Sequence, residues 1–471
     1  MQGTLGRDLT TGSIPRHLLS VTVPMLIGNL LNTGYSIINT IWVGKIIGED
    51  AVGATAISFP IVFIFVALAA GATMATTILV SQYYGAKNLS MVQRVVNTSF
   101  GLSLILGILL TIAGISFSEA LLRIMHTPAA IFPMAASYLK ISFVGFVFMF
   151  FSFLVTSILR GIGDTRTPLA FMAIGVVLNA ILDPLLIIGI GPFPRMGLNG
   201  AALASVLSAM VAVGCAVGYL NYKGSFVAFN PRRLMLDKTI IALIFKIGFP
   251  SMIQQSLISL GGMFITTFVN GFGSPAIAAF GAAGRIESLA FMPAMTLSMA
   301  VSTLTGQNIG AGKPERVQRT FRWGLLMILT INTIIMVAAF AIPGLLLRLF
   351  ISDPAVIAIG VGYLRITAIS YVIFGVMFVS NGVIMGTGHT LIIMIFTITS
   401  LWVVRVPLAA WLSHTSLGLS GIWISIVTSF TVTMIISLAY YSSGRWKKMV
   451  IKHAMPAAEP APVPVPAADE A

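Results

Sequence analysis

The stretch SQYYGAKNLSMVQR, residues 81–94, returns later in the chain as GQNIGAGKPERVQR, residues 306–319. Gln, Gly-Ala and Val-Gln-Arg stand in register, about 225 residues apart. At nearly the same offset RGIGDT (160–165) answers MGTGHT (385–390), and SYLKI (137–141) answers GYLRI (362–366). VPMLI (23–27) answers FPSMI (249–253), and GLNGAA (197–202) answers GLSGIW (418–423) at a slightly smaller offset. Generic apolar helices mimic one another through Leu/Ile runs. They do not reproduce Gly- and Gln-bearing loops in register, so the chain reads as two copies of one unit.

The unit belongs in a bilayer. Of 471 residues, 57% are hydrophobic and only 8% charged, against roughly 25% charged in soluble domains. Apolar runs of about 20 residues, the length a helix needs to cross a membrane, recur along most of the sequence. Twelve such spans fit between residues 17 and 442. An outer-membrane barrel is excluded, because its strands alternate polar and apolar residues. The expected fold is an all-α polytopic membrane protein of twelve transmembrane helices in two six-helix lobes. Six is even, so both lobes enter from the same side and are parallel repeats around a central cavity. The expected division is an N-terminal lobe (1–221), a linker (222–239), a C-terminal lobe (240–452) and a disordered Pro/Ala-rich tail (453–471).

Net charge is +14. The basic residues gather in alternate loops: Lys87 and Arg94, Arg160 and Arg166, Lys223 to Lys238, Lys313 to Arg322, and Arg445 to Lys452. The opposite loops hold only Lys45, Arg123, Arg195 and Arg348. Such asymmetry orients membrane proteins. It puts both termini in the cytoplasm and explains the charge without nucleic acid. Arg7 and Arg16 precede a long span, not the short apolar region of a cleavable signal. Cys215 is the single cysteine, so no intrachain disulfide forms.

In the repeated loops a Gly-x-Gly or Gly-Ala-x element is expected to end each helix, with glycine supplying the left-handed turn. GIGDT lacks the Lys-Ser/Thr of a phosphate-binding loop and sits in no strand-to-helix context.

Of the 13 acids, only Asp183 and Glu287 lie deep in spans. An intramembrane carboxylate costs several kcal/mol unless it is paired, hydrated or neutral, and burial favours the neutral form. Such a group is a natural proton carrier. Asn179 and Asp183 are four residues apart and share a helix face. Pro184 cannot donate a backbone hydrogen bond and loosens the carbonyl one turn back, near Ala180. A carboxylate, an amide and that carbonyl suit a proton with water, or a hard cation such as Na⁺. About 15 residues at 1.5 Å each place Asp183 roughly 22 Å from the basic end of its helix. Glu287 has Arg285 too near in sequence to be a helix-mate. Arg405 and Arg365 lie at similar depth, so Glu287 is either a partner of one of them or a substrate or proton group. Lys140 and Arg365 are repeat equivalents and read as anchors. Asn29, Asn32 and Asn39 on the first helix either line the cavity or bond between helices.

The twelve spans, GQNIGAG, RGIGDT, RIESLAFMP (285–293) and NAILDP (179–184) together resemble the multidrug and toxic compound extrusion (MATE) transporters. The likeness covers residues 10–445 and is strongest to the DinF-like bacterial branch. The resemblance implies a transporter, not an enzyme, that exports small organic, often cationic, compounds in exchange for H⁺ or Na⁺. It implies a multi-pass protein of the bacterial inner membrane, surrounded by lipid, acting as a monomer without cofactor. It assigns Asn179 and Asp183 to the coupling site. DinF-like members often add a first-helix Asp, where IINTIWVG (37–44) has Asn39. Acids that NorM-type members carry on the seventh and tenth helices are missing. The seventh has Gln254 and Gln255, and no Asp or Glu lies between Gly360 and His389. Candidate cargo contacts are Glu287, Arg405, Arg285, Asn32 and Gln255. The rival reading is a flippase of lipids or lipid-linked sugars, which would want Arg285, Arg365 and Arg405 all facing inward. No metal-binding His–Glu–His set or GxSxG elbow marks an enzyme.

Overall fold

A computed structural model describes residues 6–448. Among them there is helix and no strand. Twelve spanning segments follow one another: α1 (Ile14–Ile47), α2 (Glu49–Gly85), α3 (Leu89–Ile124), α4 (Phe132–Val144 and Phe146–Gly161), α5 (Arg166–Gly189) and α6 (Leu198–Tyr222). After the linker come α7 (Lys238–Asn270), α8 (Ser274–Gly310), α9 (Pro314–Ala341), α10 (Pro354–Thr367 and Ile369–Gly386), α11 (Thr390–Ser413) and α12 (Leu419–Ser442). The halves of α4 meet at 46° beside Gly145. The expected tail, 453–471, lies outside the described residues.

Local chemistry sets the helix ends. Asn88 accepts from the Met91 N–H and caps α3, and Asp237 accepts from the N–H groups of Thr239 and Ile240 and caps α7. Gly163, Gly312 and Gly388 end helices with positive φ, as the sequence suggests. The loop after α2 departs from that expectation, because its left-handed residue is Lys87, with φ of 60°. Its glycine, Gly85, serves close packing instead, as described below.

Four hydrophobic clusters make up the core, and their membership shows how the lobes meet. Two lie at the end of the bundle that carries the basic loops, here called the base. There Ile240, Ile244 and Ile247 of α7 pack among residues of α2, α3, α4 and α6. In return Leu9, Leu18 and Val21, from the start of the chain and α1, pack among residues of α8, α9 and α10. Each lobe therefore lends the base half of its first helix to the other. Towards the opposite end, the rim, one cluster draws only on residues 43–201 and another only on residues 265–426. The lobes are welded at the base and have separate cores at the rim.

Candidate functional site

In the rim half of the N-terminal lobe, α1, α5 and α6 converge on Asp183, which is 0% exposed. Among the described residues no Lys, Arg or His forms an ion pair with it. Asn179, one turn back, is also buried. With its amide assigned from the hydrogen bonding, Asn179 donates from Nδ2 to Asp183 Oδ2 at 2.8 Å and accepts from Ser205 Oγ at 3.2 Å. The Tyr35 hydroxyl sits 3.3 Å from that Nδ2 and 3.0 Å from Ser205 Oγ. Tyr35 and Ser205 are thus part of the cluster, although the sequence did not single them out. Asn39 lies one turn further along α1, half-buried, with Oδ1 unpartnered. No hydrogen bond joins it to Asn179 or Asp183 among the described residues, and Tyr35 occupies the first-helix place expected for it.

Pro184 does not break α5. The helix runs through it and widens to a π-turn over Leu185–Gly189, a distortion frequent at functional positions. Two further π-stretches are Val43–Ile47, at the end of α1, and Ile398–Arg405, which carries Arg405.

In the C-terminal lobe, Glu287, Tyr363 and Arg405 line a cavity of about 130 Å³ with Phe280 and Phe430. Of the two readings left open for Glu287, the ion pair with an arginine is not formed among the described residues. The Tyr363 hydroxyl donates to Glu287 instead. Arg405 Nε donates to Ser429 Oγ at 2.6 Å, and its guanidinium lies 4.4 Å from the Phe430 ring centroid. Arg285 is exposed against Phe350, at 5.6 Å, and Arg365 is also exposed. Neither lines this cavity. Lys140 pairs with Glu119 at 2.6 Å, the anchoring role read from the sequence. Asn32 is exposed and Gln255 half-buried, and among the described residues no side-chain hydrogen bond joins either to the two clusters. Gln254 donates to Thr397 Oγ1 at 3.0 Å.

The repeated loops do more than turn the chain. Gln82 Nε2 donates across the lobe boundary to the Gly386 carbonyl at 2.8 Å, and Gln307 Nε2 donates to the Gly161 carbonyl at 3.0 Å. Donors and acceptors are repeat equivalents, so the base is closed by one contact used twice. The approach is tight enough that a Cβ on Gly85 would enter the Gln307 carbonyl, and one on Gly310 the Gln82 carbonyl. Deeper along the boundary, a Cβ on Gly71 would lie 2.7 Å from the Gly248 carbonyl. The inter-lobe hydrogen bond furthest from the base is Asn29 Nδ2 to Thr296 Oγ1, at 3.0 Å. Beyond it, among the described residues, no hydrogen bond joins the lobes.

Two parallel six-helix repeats, joined at one end and separate at the other, with a buried acid in one wall, define a two-lobe membrane transporter. The chain belongs to the MatE family, whose sequence model matches it twice, over residues 24–185 and 250–411. It is 35% identical to the probable multidrug resistance protein YpnP of Bacillus subtilis over 443 residues, covering 94% of this chain and 98% of that one. Among solved structures it is similar to a MOP superfamily transporter from Pyrococcus furiosus, described by a reversed polarity of its binding pocket. That match has a TM-score of 0.86 at 26% identity, over 95% of this chain and 100% of that one. It is equally similar, at TM-score 0.86 and 25% identity, to an outward-facing multidrug resistance MATE transporter, over 94% of this chain and 98% of that one.

Proposed function

We propose that this transporter exports amphipathic organic cations in exchange for protons, by alternating access, with Asp183 as the proton seat. The observation that carries this is a fully buried carboxyl group with no basic partner among the described residues. Charged, such a group costs several kcal/mol in a low-dielectric wall. A bound proton removes that cost, and rocking of the lobes then carries a neutral wall. A ligand shifts two states only if it interacts with them differently, and here the difference is the charge at Asp183. The proton is favoured over Na⁺ because the cluster sets one carboxyl group among an amide and two hydroxyls, with no second acid joined to it among the described residues. A hard cation is held best by several anionic or carbonyl oxygens. Asn179, Tyr35 and Ser205 orient the carboxyl group. Glu287 and Arg405 form a second polar station in the opposite lobe.

The asymmetry of Lys and Arg makes the base cytoplasmic, with both termini on that side. The closed base and the separate rim cores then correspond to an outward-open state. The lobes are taken as 1–221 and 240–452, bridged by 222–239, and one chain in lipid is the working unit. The flippase alternative would want Arg285, Arg365 and Arg405 to share one cavity, and of the three only Arg405 lines the C-lobe cavity.

The test is export from proteoliposomes under imposed gradients, against a panel of cationic dyes and lipids. An inward proton gradient is expected to drive dye export, and a sodium gradient at uniform pH is not. Export that follows sodium alone would overturn the proton assignment.

A further inference from the structure

We infer that residues Arg7–Gly12 are a lock on the base, a strap that must leave its groove before the base can open. This rests on the alternating-access reading above. The strap precedes α1 and touches both lobes. On the N-lobe side the Arg7 N–H donates to the Ile162 carbonyl at 2.8 Å, and Asp8 pairs with Lys87 at 2.8 Å. On the C-lobe side the Leu9 N–H donates to Gln307 Oε1 at 3.0 Å. The Leu9 carbonyl accepts from Asn308 Nδ2 at 3.3 Å, and the Thr10 carbonyl accepts from Lys313 Nζ at 3.1 Å. Arg316 Nη2 reaches the Thr11 and Gly12 carbonyls at 3.2 Å each. The Leu9 side chain is fully buried in the C-lobe base cluster.

The strap breaks the symmetry of the base. Gln307 gives its N–H to Gly161 and receives the Leu9 N–H on its oxygen. Its repeat equivalent, Gln82, has a buried Oε1 with no partner among the described residues. The linker before α7 packs Val227 and Leu234 into the N-lobe base cluster and pairs Asp237 with Arg94, but no linker group bonds Gln82 Oε1 among the described residues. The same glutamine is therefore reinforced on one side of the boundary and left incomplete on the other. Separating the lobes at the base must break either the N-lobe bonds or the C-lobe bonds of the strap, since it holds both.

Asp8 keeps its pairing across the physiological range. Burial pulls its carboxyl upward, but hydrogen bonds from Lys87 and Thr10 outweigh this and hold it at about 2. The sign follows: the pairing is present above the ordinary Asp value, about 3.9, and fades only as pH falls from there through 2.

The experiment reads the base without cargo, so its outcome does not depend on which compound or ion is transported. Exposed Ser90 and Glu315, repeat equivalents on opposite lobes, are changed to cysteine and spin-labelled in a Cys215→Ser background. Inter-label distances are then measured in lipid. The unaltered strap is expected to give one short, base-closed population. Leu9→Asp, which puts a charge where the groove is apolar, is expected to raise a long-distance population about tenfold or more, the equivalent of one net hydrogen bond. If Leu9→Asp does not fold, Arg316→Ala removes the clamp on the Leu9, Thr11 and Gly12 carbonyls while leaving the Leu9 side chain apolar, and is expected to act in the same direction. Distances unchanged from the parent in a folded strap variant would overturn the lock. Failure of the proton assignment would leave these distances as expected.

Discussion

Asp183→Asn is expected to abolish proton-driven export, to at least a tenfold loss against a leak control, while the protein inserts and folds as before. The substitution keeps the shape of the side chain, so packing against Tyr35, Asn179 and Ser205 is little disturbed. It removes only the ability to gain and lose charge. Movement of dye down its own gradient is expected to survive, because rocking of a permanently neutral wall remains open to the protein. Measuring both fluxes in one proteoliposome preparation separates loss of coupling from loss of fold. Full proton-driven export by the variant would place the coupling group elsewhere, with Glu287 the next candidate.

Gly85→Val is expected to have the second-largest effect. At Gly85 the first atom of any side chain would fall within the Gln307 carbonyl, which belongs to a helix backbone and cannot swing aside. The base then cannot close as it does here. The variant is expected to lose export by about tenfold or more, since each 1.4 kcal/mol of strain on one state shifts the balance tenfold. A cysteine placed at a buried base position in a Cys215→Ser background should also become reactive to a water-soluble thiol reagent that it resists when Gly85 is present. Gly218, on α6, has nothing near its Cβ position, so Gly218→Val is the control and should leave export nearly unchanged. Normal export by Gly85→Val with a protected base would contradict the two-fold closure.

Much of this was legible before any coordinates. Span lengths follow from the thickness of the bilayer, and the repeat follows from loops that agree in register. Asp183 stood out because a lone acid in an apolar run must be neutralised, and its pairing with Asn179 followed from helical spacing. What stayed hidden was facing. In a soluble helix the polar side marks the outside, but in lipid both the packed and the outer sides are apolar. Nothing in the pattern therefore told Tyr35, which joins the cluster, from Asn39, which does not. Ser205 was one small polar residue among many. Glu287 was left between an arginine partner and a cargo or proton role, and Tyr363, whose hydroxyl donates to it, was not considered. Gln82 and Gln307 lay inside the very motif that revealed the repeat. Their part in closing the base was not legible, because one lobe by itself gives no hint of what its twin presents across the boundary. Gly85 read as a cap for a similar reason, since a close approach to another helix leaves no local trace.

If Asp183 takes up the proton that cargo displaces, protons are released when a cationic dye is added to purified protein in weakly buffered detergent solution near neutral pH, and they can be counted. Release is expected from the parent and none from Asp183→Asn, with dye binding retained by both. Equal release from both proteins would put the proton seat elsewhere.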